Sequence, residues 1–357
     1  MMDIDISEIQ IEKVLESRVS TFEWEDLAFG KIFSDHMMVM DYADGEWKNP
    51  KIIPYQNLSM SPATSALHYG QSIFEGMKAH KNANDEIVLL RPKDNAKRLN
   101  VSAERMCIPV ISEDFFMEAL KTLLELDREW VPNKRGCSLY IRPFIFATDP
   151  VVGIKPSDTY RFIIFSCPVG TYYSDAIPVK IETEFTRAAS GGTGYAKAAG
   201  NYGGALYPAR LAQNQGYKQL IWTDAKEHKY IEEAGTMNVM FIIDGVLITP
   251  TSNDTILAGL TRDSVIAITR DWGMEVQERK VSIEEIITAF NEGTISEAFG
   301  AGTAATLAPI KSINYNNKDY FLPAIADKDR FSTKMMYYYD DYRRDLVEDK
   351  FSWLEKF

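Results

Sequence analysis

Residues 190–204 read Ser190-Gly191-Gly192-Thr193-Gly194-Tyr195-Ala196-Lys197-Ala198-Ala199-Gly200-Asn201-Tyr202-Gly203-Gly204. One lysine sits among small residues, with a tyrosine on either side. Glycine lets backbone approach a ligand closely and adopt conformations closed to other residues. Such a cradle sets an amine against a flat ligand with little steric obstruction. A lysine in tight, partly dry surroundings can become nucleophilic toward carbonyls. A glycine-rich surface loop with a solvated lysine fits this stretch equally well, so the decision rests on the rest of the chain.

The chain has 357 residues, a length that suggests two domains. Hydrophobic residues make up 45% and aromatics 12%, enough for sizeable cores, which excludes a disordered or fibrous class. The net charge of −12 argues against general nucleic-acid binding, because phosphate contacts want a basic face. Cys107, Cys137 and Cys167 are widely spaced and form no CxxC pair, which fits reduced thiols better than a disulfide framework. The N-terminus lacks the basic start and apolar core of a signal peptide. No apolar run approaches the ~18 residues of a membrane span. The expectation is a soluble, cytoplasmic protein without a membrane or nucleic-acid partner.

Up to about residue 60, strands are expected over helices. Glu86–Leu90 reads as a strand ending at Arg91-Pro92. Ser112 reads as the N-cap of a helix to Trp130, with Glu113 and Asp114 in its first turn and Phe116, Leu120, Leu123 and Leu124 at helical spacing. Ser138–Ala147 and Tyr160–Val169 read as strands. The segment 170–178 marks a boundary between a smaller α+β domain (1–169) and a larger domain (179–357) in which strands and helices alternate. In the latter we expect a strand over Val179–Phe185, a helix from about Ala205, a hairpin turning at Asp244-Gly245, a helix over Thr261–Trp272, and a helix with a Ser282/Glu285 capping box closed by Gly293.

Three further clusters carry chemistry. In Glu232-Glu233-Ala234-Gly235-Thr236-Met237-Asn238, a carboxylate at a strand-to-glycine junction can pair with a protonated ring nitrogen; a surface Glu pair at a turn is the simpler alternative. Ala258-Gly259-Leu260-Thr261-Arg262 opens a helix, whose free N–H groups make an anion seat, although Thr261 can equally be the N-cap. Phe299-Gly300-Ala301-Gly302-Thr303-Ala304-Ala305-Thr306 can wrap anionic oxygens with backbone donors. Its G-x-G-x-x-A match invites a nicotinamide-dinucleotide reading, which fails because Pro309 follows closely and no acidic ribose ligand or second βαβ unit is evident. Four histidines and the scattered cysteines offer no metal-ligand spacing. Together the groups ask for a ligand with an aldehyde, a basic ring nitrogen and a phosphate.

The chain resembles the branched-chain amino-acid aminotransferases of the fold-type IV pyridoxal-phosphate enzymes, in their longer, eukaryotic-like subclass, from roughly Phe29 to Pro323. The carriers are Ala66–Gly70 with Phe74-Glu75-Gly76, Leu139–Pro143, Gly191–Tyr202 around Lys197, Glu233–Asn238 and Gly300–Thr303. The resemblance implies a two-domain enzyme with pyridoxal 5′-phosphate between the domains. It makes Lys197 the Schiff-base lysine and proton shuttle, Glu233 the partner of the pyridine nitrogen, and Tyr202 the donor to the ring oxygen. Arg98, Leu260, Thr261 and Thr303 become phosphate contacts, with Arg187 and Thr236 nearby. Phe29, Tyr69, Phe74, Tyr140 and Tyr172 are implied as an aromatic wall for Leu, Ile and Val side chains. Arg142 is implied for the second carboxylate of glutamate or 2-oxoglutarate, and the Thr303–Ala304 turn for the substrate α-carboxylate. The loop Thr148–Asp158 matches one that covers a partner subunit's site, implying a homodimer. Mammalian members carry a CxxC where this chain has Ala305 and Ala308, so thiol regulation there is expected to be absent. A D-amino-acid aminotransferase or an aminodeoxychorismate lyase fits the length and the Tyr140–Arg142 motif less well. A binding-only protein has no need of Lys197, Glu233 and Tyr202 together.

Overall fold

The computed structural model describes residues 9–24, 27–170 and 175–357. It divides into two compact units. The first takes the described residues of 1–172 with Ala196–Gly200 and Asp340–Phe357; the second takes those of 173–195 with Asn201–Tyr339.

The first unit is built on a sheet centred on the strands Ser138–Ala147 and Tyr160–Val169, which pair antiparallel along their full length. Met77–Lys81 and Ser72–Phe74 pair with the former, and His36–Ala43 with the latter. Helices α1 (Ser65–Tyr69), α2 (Pro92–Arg105) and α3 (Glu113–Leu126) accompany this sheet. At the start of α3 the Ser112 hydroxyl accepts from the Phe115 N–H at 3.4 Å, with Glu113 and Asp114 in the first turn. Phe115, Phe116, Ala119, Leu120, Leu123 and Leu124 are buried with Leu139, Ile141 and Ile145 of the central strand in one core. Each such Leu, Ile or Phe contributes about 1.5–3 kcal/mol when fully buried. The alternation along Ser138–Ala147 that sends Leu139 and Ile141 into this core leaves Tyr140 and Arg142 on the opposite face.

Two parts of the chain assigned by sequence to the larger domain belong here instead. Leu354–Lys356 pairs antiparallel with Ile87–Leu90, so the C-terminal segment covers a sheet edge of the first unit. Ala198 bridges Ile73, which brings the lysine segment into the same unit.

In the second unit, Met237–Ile243, Ile295–Gly302, Thr306–Tyr315, Ile177–Ile181, Gln219–Thr223 and Tyr230–Ala234 pair successively, and the last pairs again with the first. Six strands therefore close a circuit of pairings, which removes exposed edges. Its helices are α4 (Ala199–Asn214), α5 (Leu260–Asp271), α6 (Ile283–Glu292) and α7 (Phe331–Tyr342). Asp244 (φ 50°) and Gly245 (φ 76°) make the expected tight hairpin turn. Ser282 caps α6, and Gly293 closes it at φ 72°.

Three expectations are corrected. Helix α4 starts at Ala199 rather than near Ala205. Gly200, Gly203 and Gly204 each cost about 1 kcal/mol of helix propensity, which hides this start, and tertiary contacts override it. The strand expected over Val179–Phe185 ends at Ile181, because the Glu182 carboxylate accepts from the Glu184 and Phe185 N–H groups and turns the chain. Phe299–Gly302, read as part of a small-residue wrap, is strand, with Gly300 paired to Ala308; its glycines open no helix.

Candidate active site

In the first unit, Lys197 is held by its backbone. Its N–H donates to the Ser102 hydroxyl at 2.9 Å, and its carbonyl accepts from the Phe74 N–H at 3.1 Å. The half-buried side chain carries its Nζ to 4.8 Å from the centre of the Phe74 ring. Sequence reading credited the glycines around the lysine; the structure credits a β-type bridge to one strand and a hydroxyl from α2.

Arg98 projects from α2, one turn before Ser102. Its Nε donates to Glu75 Oε1 at 2.7 Å and its Nη2 to Oε2 at 2.9 Å. The Glu75 carboxylate also accepts from Asn95 Nδ2 at 2.7 Å and from the Gly76 N–H at 3.1 Å. Glu75 is fully buried. Burial pushes its pKa up, but the Arg98 charge and hydrogen bonds, the Lys197 charge and Asn95 outweigh this and leave it below the ordinary value. The Ser102 hydroxyl in turn donates to the Arg98 carbonyl at 3.0 Å. Positions 95, 98 and 102 lie on one helical face, so a single helix sets Glu75, Arg98 and the Lys197 backbone against one another.

The other face of the sheet gathers aromatic rings around Arg142. Its Nη2 donates to the Tyr140 hydroxyl at 3.0 Å, and its Cζ lies 4.5 Å from the Phe74 ring centre and 5.4 Å from that of Tyr140. The Phe29 ring is 4.8 Å from that of Tyr140. Among the described residues the buried Arg142 Nε has no hydrogen-bond partner, which suits an incoming carboxylate. Phe29, Phe74, Tyr140 and Arg142 thus form one cluster. Tyr69 is not part of it; it lies on α1, 40% exposed. Tyr172 lies outside the described residues.

In the second unit, Glu233 ends the strand Tyr230–Ala234 and is buried. Its Oε2 lies 3.0 Å from Arg187 Nε, and its Oε1 accepts from the Leu257 N–H at 2.7 Å. Arg187 also donates from Nη2 to the Thr255 and Gly194 carbonyls. Asn238, directly across the hairpin from Glu233, donates to the Leu257 carbonyl at 2.9 Å. Both edges of the Leu257 peptide are therefore tied to this hairpin, whose exposed tip holds Thr236. That tie leads straight into α5. Its N-cap is Gly259, which makes no side-chain cap bond, so Leu260 and Thr261 are the first helical residues and Thr261 is not the cap. A Cβ on Gly259 would stand 1.9 Å from Asn238 Oδ1, so only glycine admits this approach. An uncapped helix start presents N–H donors and the positive end of the dipole to an anion.

Tyr202 lies half-buried in the first turn of α4, and Asn201 beside it donates to the Thr193 carbonyl at 2.8 Å. Thr303 and Ala304 sit half-buried in the loop between the paired residues Gly302 and Thr306. Thr306 closes that loop at φ 64°, a costly conformation for a β-branched residue. Sequence reading gave no role to Glu75, Asn95, Ser102 or Leu257. The helical spacing of 95, 98 and 102 was the available signal for two of them.

The family model of the class IV amino-transferases matches residues 72–313. A branched-chain-amino-acid aminotransferase 2 from Bacillus subtilis is 46% identical over 331 residues, covering 92% of this chain and 91% of that one. The chain belongs to the class IV aminotransferases. A probable branched-chain-amino-acid aminotransferase of Staphylococcus epidermidis is 42% identical, covering 96% of this chain and 98% of the relative. Among solved structures, the Escherichia coli branched-chain amino acid aminotransferase superposes with a TM-score of 0.74 at 28% identity, covering 90% of this chain and 98% of that one.

Enzymes of this class use pyridoxal phosphate. The residues present fit that cofactor. The second unit offers a buried carboxylate for the pyridine nitrogen and an uncapped helix start for the phosphate, while the first offers a lysine amine and a clamped guanidinium.

Proposed function

We propose that Lys197, Glu233, Tyr202 and Arg98 serve the cofactor in the roles their motifs imply, and that Phe29, Phe74, Tyr140 and Arg142 serve the substrate. The enzyme transfers the amino group of L-leucine, L-isoleucine or L-valine to 2-oxoglutarate, giving the branched-chain 2-oxo acid and L-glutamate. The observation that carries the residue assignment is the single helical face of α2, on which the Ser102 hydroxyl accepts from the Lys197 N–H and donates to the Arg98 carbonyl.

Bound pyridoxal phosphate supplies the electron-withdrawing ring that spreads charge developing at the substrate Cα. Lys197 would supply the amine for the cofactor's aldehyde and the base for the Cα proton. Glu233, beside the Arg187 guanidinium and the Leu257 N–H, would pair with the pyridine nitrogen. Arg98, the Leu260 and Thr261 N–H groups and Thr303 would hold the phosphate, with Arg187 and Thr236 as further cofactor contacts. Tyr202 donates to the ring hydroxyl oxygen, and the Thr303–Ala304 turn receives the substrate α-carboxylate. Phe29, Phe74 and Tyr140 offer apolar surface to a branched side chain. Arg142 lies among these rings, so one pocket accepts either a hydrocarbon or the second carboxylate of 2-oxoglutarate.

We assign the active form as a homodimer. The loop after Ala147 is braced by Asp149, whose carboxylate accepts from the Asp158 and Thr159 N–H groups and from Lys155. It nevertheless exposes Val151, Val152 and Ile154, at 47%, 68% and 93%. A braced loop that keeps three aliphatic side chains in water favours a partner surface. A cytoplasmic location is our reading of the unpaired cysteines. Among the described residues no helix is long and apolar enough to cross a membrane.

The test is a half-reaction. L-leucine should bleach the yellow absorbance of the cofactor-loaded protein, and 2-oxoglutarate should restore it, as ping-pong turnover requires. A protein that stays colourless after pyridoxal phosphate is added overturns the reading.

A further inference from the structure

Glu75 takes no part in the chemistry assigned above, yet it is fully buried with both carboxylate oxygens engaged. We infer that Glu75 is a positioning residue that aims the Arg98 guanidinium at the cofactor phosphate. This rests on the assignment of Arg98 as a phosphate ligand.

The argument is geometric. An arginine side chain has several rotatable bonds, and its selectivity for a phosphate depends on the plane of its fork. Glu75 grips one edge of that fork at two points, through Nε and Nη2, which fixes both the plane and its rotation. The carboxylate cannot follow the arginine, because Asn95 Nδ2 and the Gly76 N–H hold it from the opposite side. The anchors come from two places, with Asn95 on the same helix as Arg98 and Gly76 in the short link between Ser72–Phe74 and Met77–Lys81. The guanidinium is therefore pre-set before a ligand arrives. A role in proton transfer does not suit Glu75. Its oxygens are all occupied by donors and it is sealed from solvent. It sits next to Phe74, whose ring lies under the Lys197 amine, so loss of its geometry reaches the lysine only through packing.

The test compares pyridoxal 5′-phosphate with phosphate-free pyridoxal, binding each to enzyme stripped of cofactor and following the quenching of tryptophan fluorescence. For Glu75→Gln the Kd for pyridoxal phosphate should rise at least about tenfold, as expected for losing a buried charge-assisted fork. The Kd for pyridoxal should change less than about threefold, because that ligand makes no phosphate contact. Equal weakening of both ligands, or no change in either, overturns the proposal, since a merely structural role does not discriminate between them. Arg98→Gln separates this inference from the reading beneath it. If Arg98→Gln retains full preference for the phosphorylated ligand, the phosphate role of Arg98 itself is wrong. If Arg98→Gln loses that preference while Glu75→Gln keeps it, only the role of Glu75 is wrong. Should Glu75→Gln fail to fold, Glu75→Asp takes its place. It keeps the charge but shortens the reach by one methylene, and it should show the same selective loss; unchanged preference for the phosphorylated ligand in that variant overturns the proposal.

Discussion

The two units hold their buried carboxylates in contrasting ways. Around Glu75 in the first unit Arg98 and Asn95 converge from one face of α2, and the Gly76 N–H adds a backbone donor. In the second unit Glu233 receives the Leu257 N–H from a distant loop, beside the Arg187 guanidinium. Glu232, next along the same strand, accepts from the Thr255 hydroxyl. Its pKa is raised because burial outweighs that bond and the field of Arg187. Glu75 is lowered, although burial is its largest single influence too. Burial alone therefore does not decide the state of a carboxylate. The cations gripping it do.

Five substitutions probe this contrast. The largest effect belongs to Lys197→Ala, which removes the amine proposed to react. Its kcat with L-leucine should fall by at least about a thousandfold, and near-normal turnover in steady-state assays would end the assignment. Next, Glu75→Ala and Glu233→Ala each strand a buried guanidinium, Arg98 or Arg187. Each should cost about 3–5 kcal/mol of stability, read from urea unfolding; a loss confined to one of the two would show that only that region depends on its ion pair. Third, Gly259→Ala forces a Cβ to within 1.9 Å of Asn238 Oδ1. Overpacking of this kind costs about 1–3 kcal/mol, and calorimetry should show a lower Tm together with weaker phosphate affinity. An unchanged Tm would mean that the α5 entrance is not held by the Asn238 hairpin.

The smallest effect is Glu232→Gln, and its sign is the informative part. The folded pKa of Glu232 lies above its unfolded value. Its contribution to stability is thus fully present below about pH 4, the ordinary glutamate range, and is lost as pH rises through the folded value. A neutral glutamine still accepts from Thr255, so at pH 7 the variant should be equal to the parent or more stable by up to about 1 kcal/mol. Glu75 runs the other way. Its folded pKa is depressed, so its stabilisation is present above the ordinary carboxylate range and is lost as pH falls through the folded value. Unfolding curves taken from pH 4 to pH 8 for both variants sharpen the comparison. Matching slopes would contradict it.

Much of this was legible in the chain. The strands Ser138–Ala147 and Tyr160–Val169 fall on their expected bounds, because turn residues flank runs of β-branched and aromatic side chains. The Ser112 and Ser282 caps and the Gly293 stop obey local chemistry that needs no distant contact. The start of α4 was not legible. Three glycines oppose it, and it depends on partners far away in sequence. The C-terminal strand Leu354–Lys356 was also missed, since its pairing partner lies more than two hundred residues earlier.

By itself the sequence determined which chemical groups are available: one lysine in a small-residue stretch, a carboxylate before a glycine turn, an arginine among aromatics, and enough motif to name the family. These are properties of residue type and short spacing, where side-chain chemistry and local backbone preference dominate. Only the tertiary structure decided what restrains those groups. It showed that the Lys197 backbone hangs from Ser102 and Phe74, that Arg98 is clamped by Glu75, and that Asn238 and Glu233 pin the peptide leading into α5. The physical reason is reach. A hydrogen bond acts over about 3 Å, and nothing in the linear order tells which distant residues folding will bring within it.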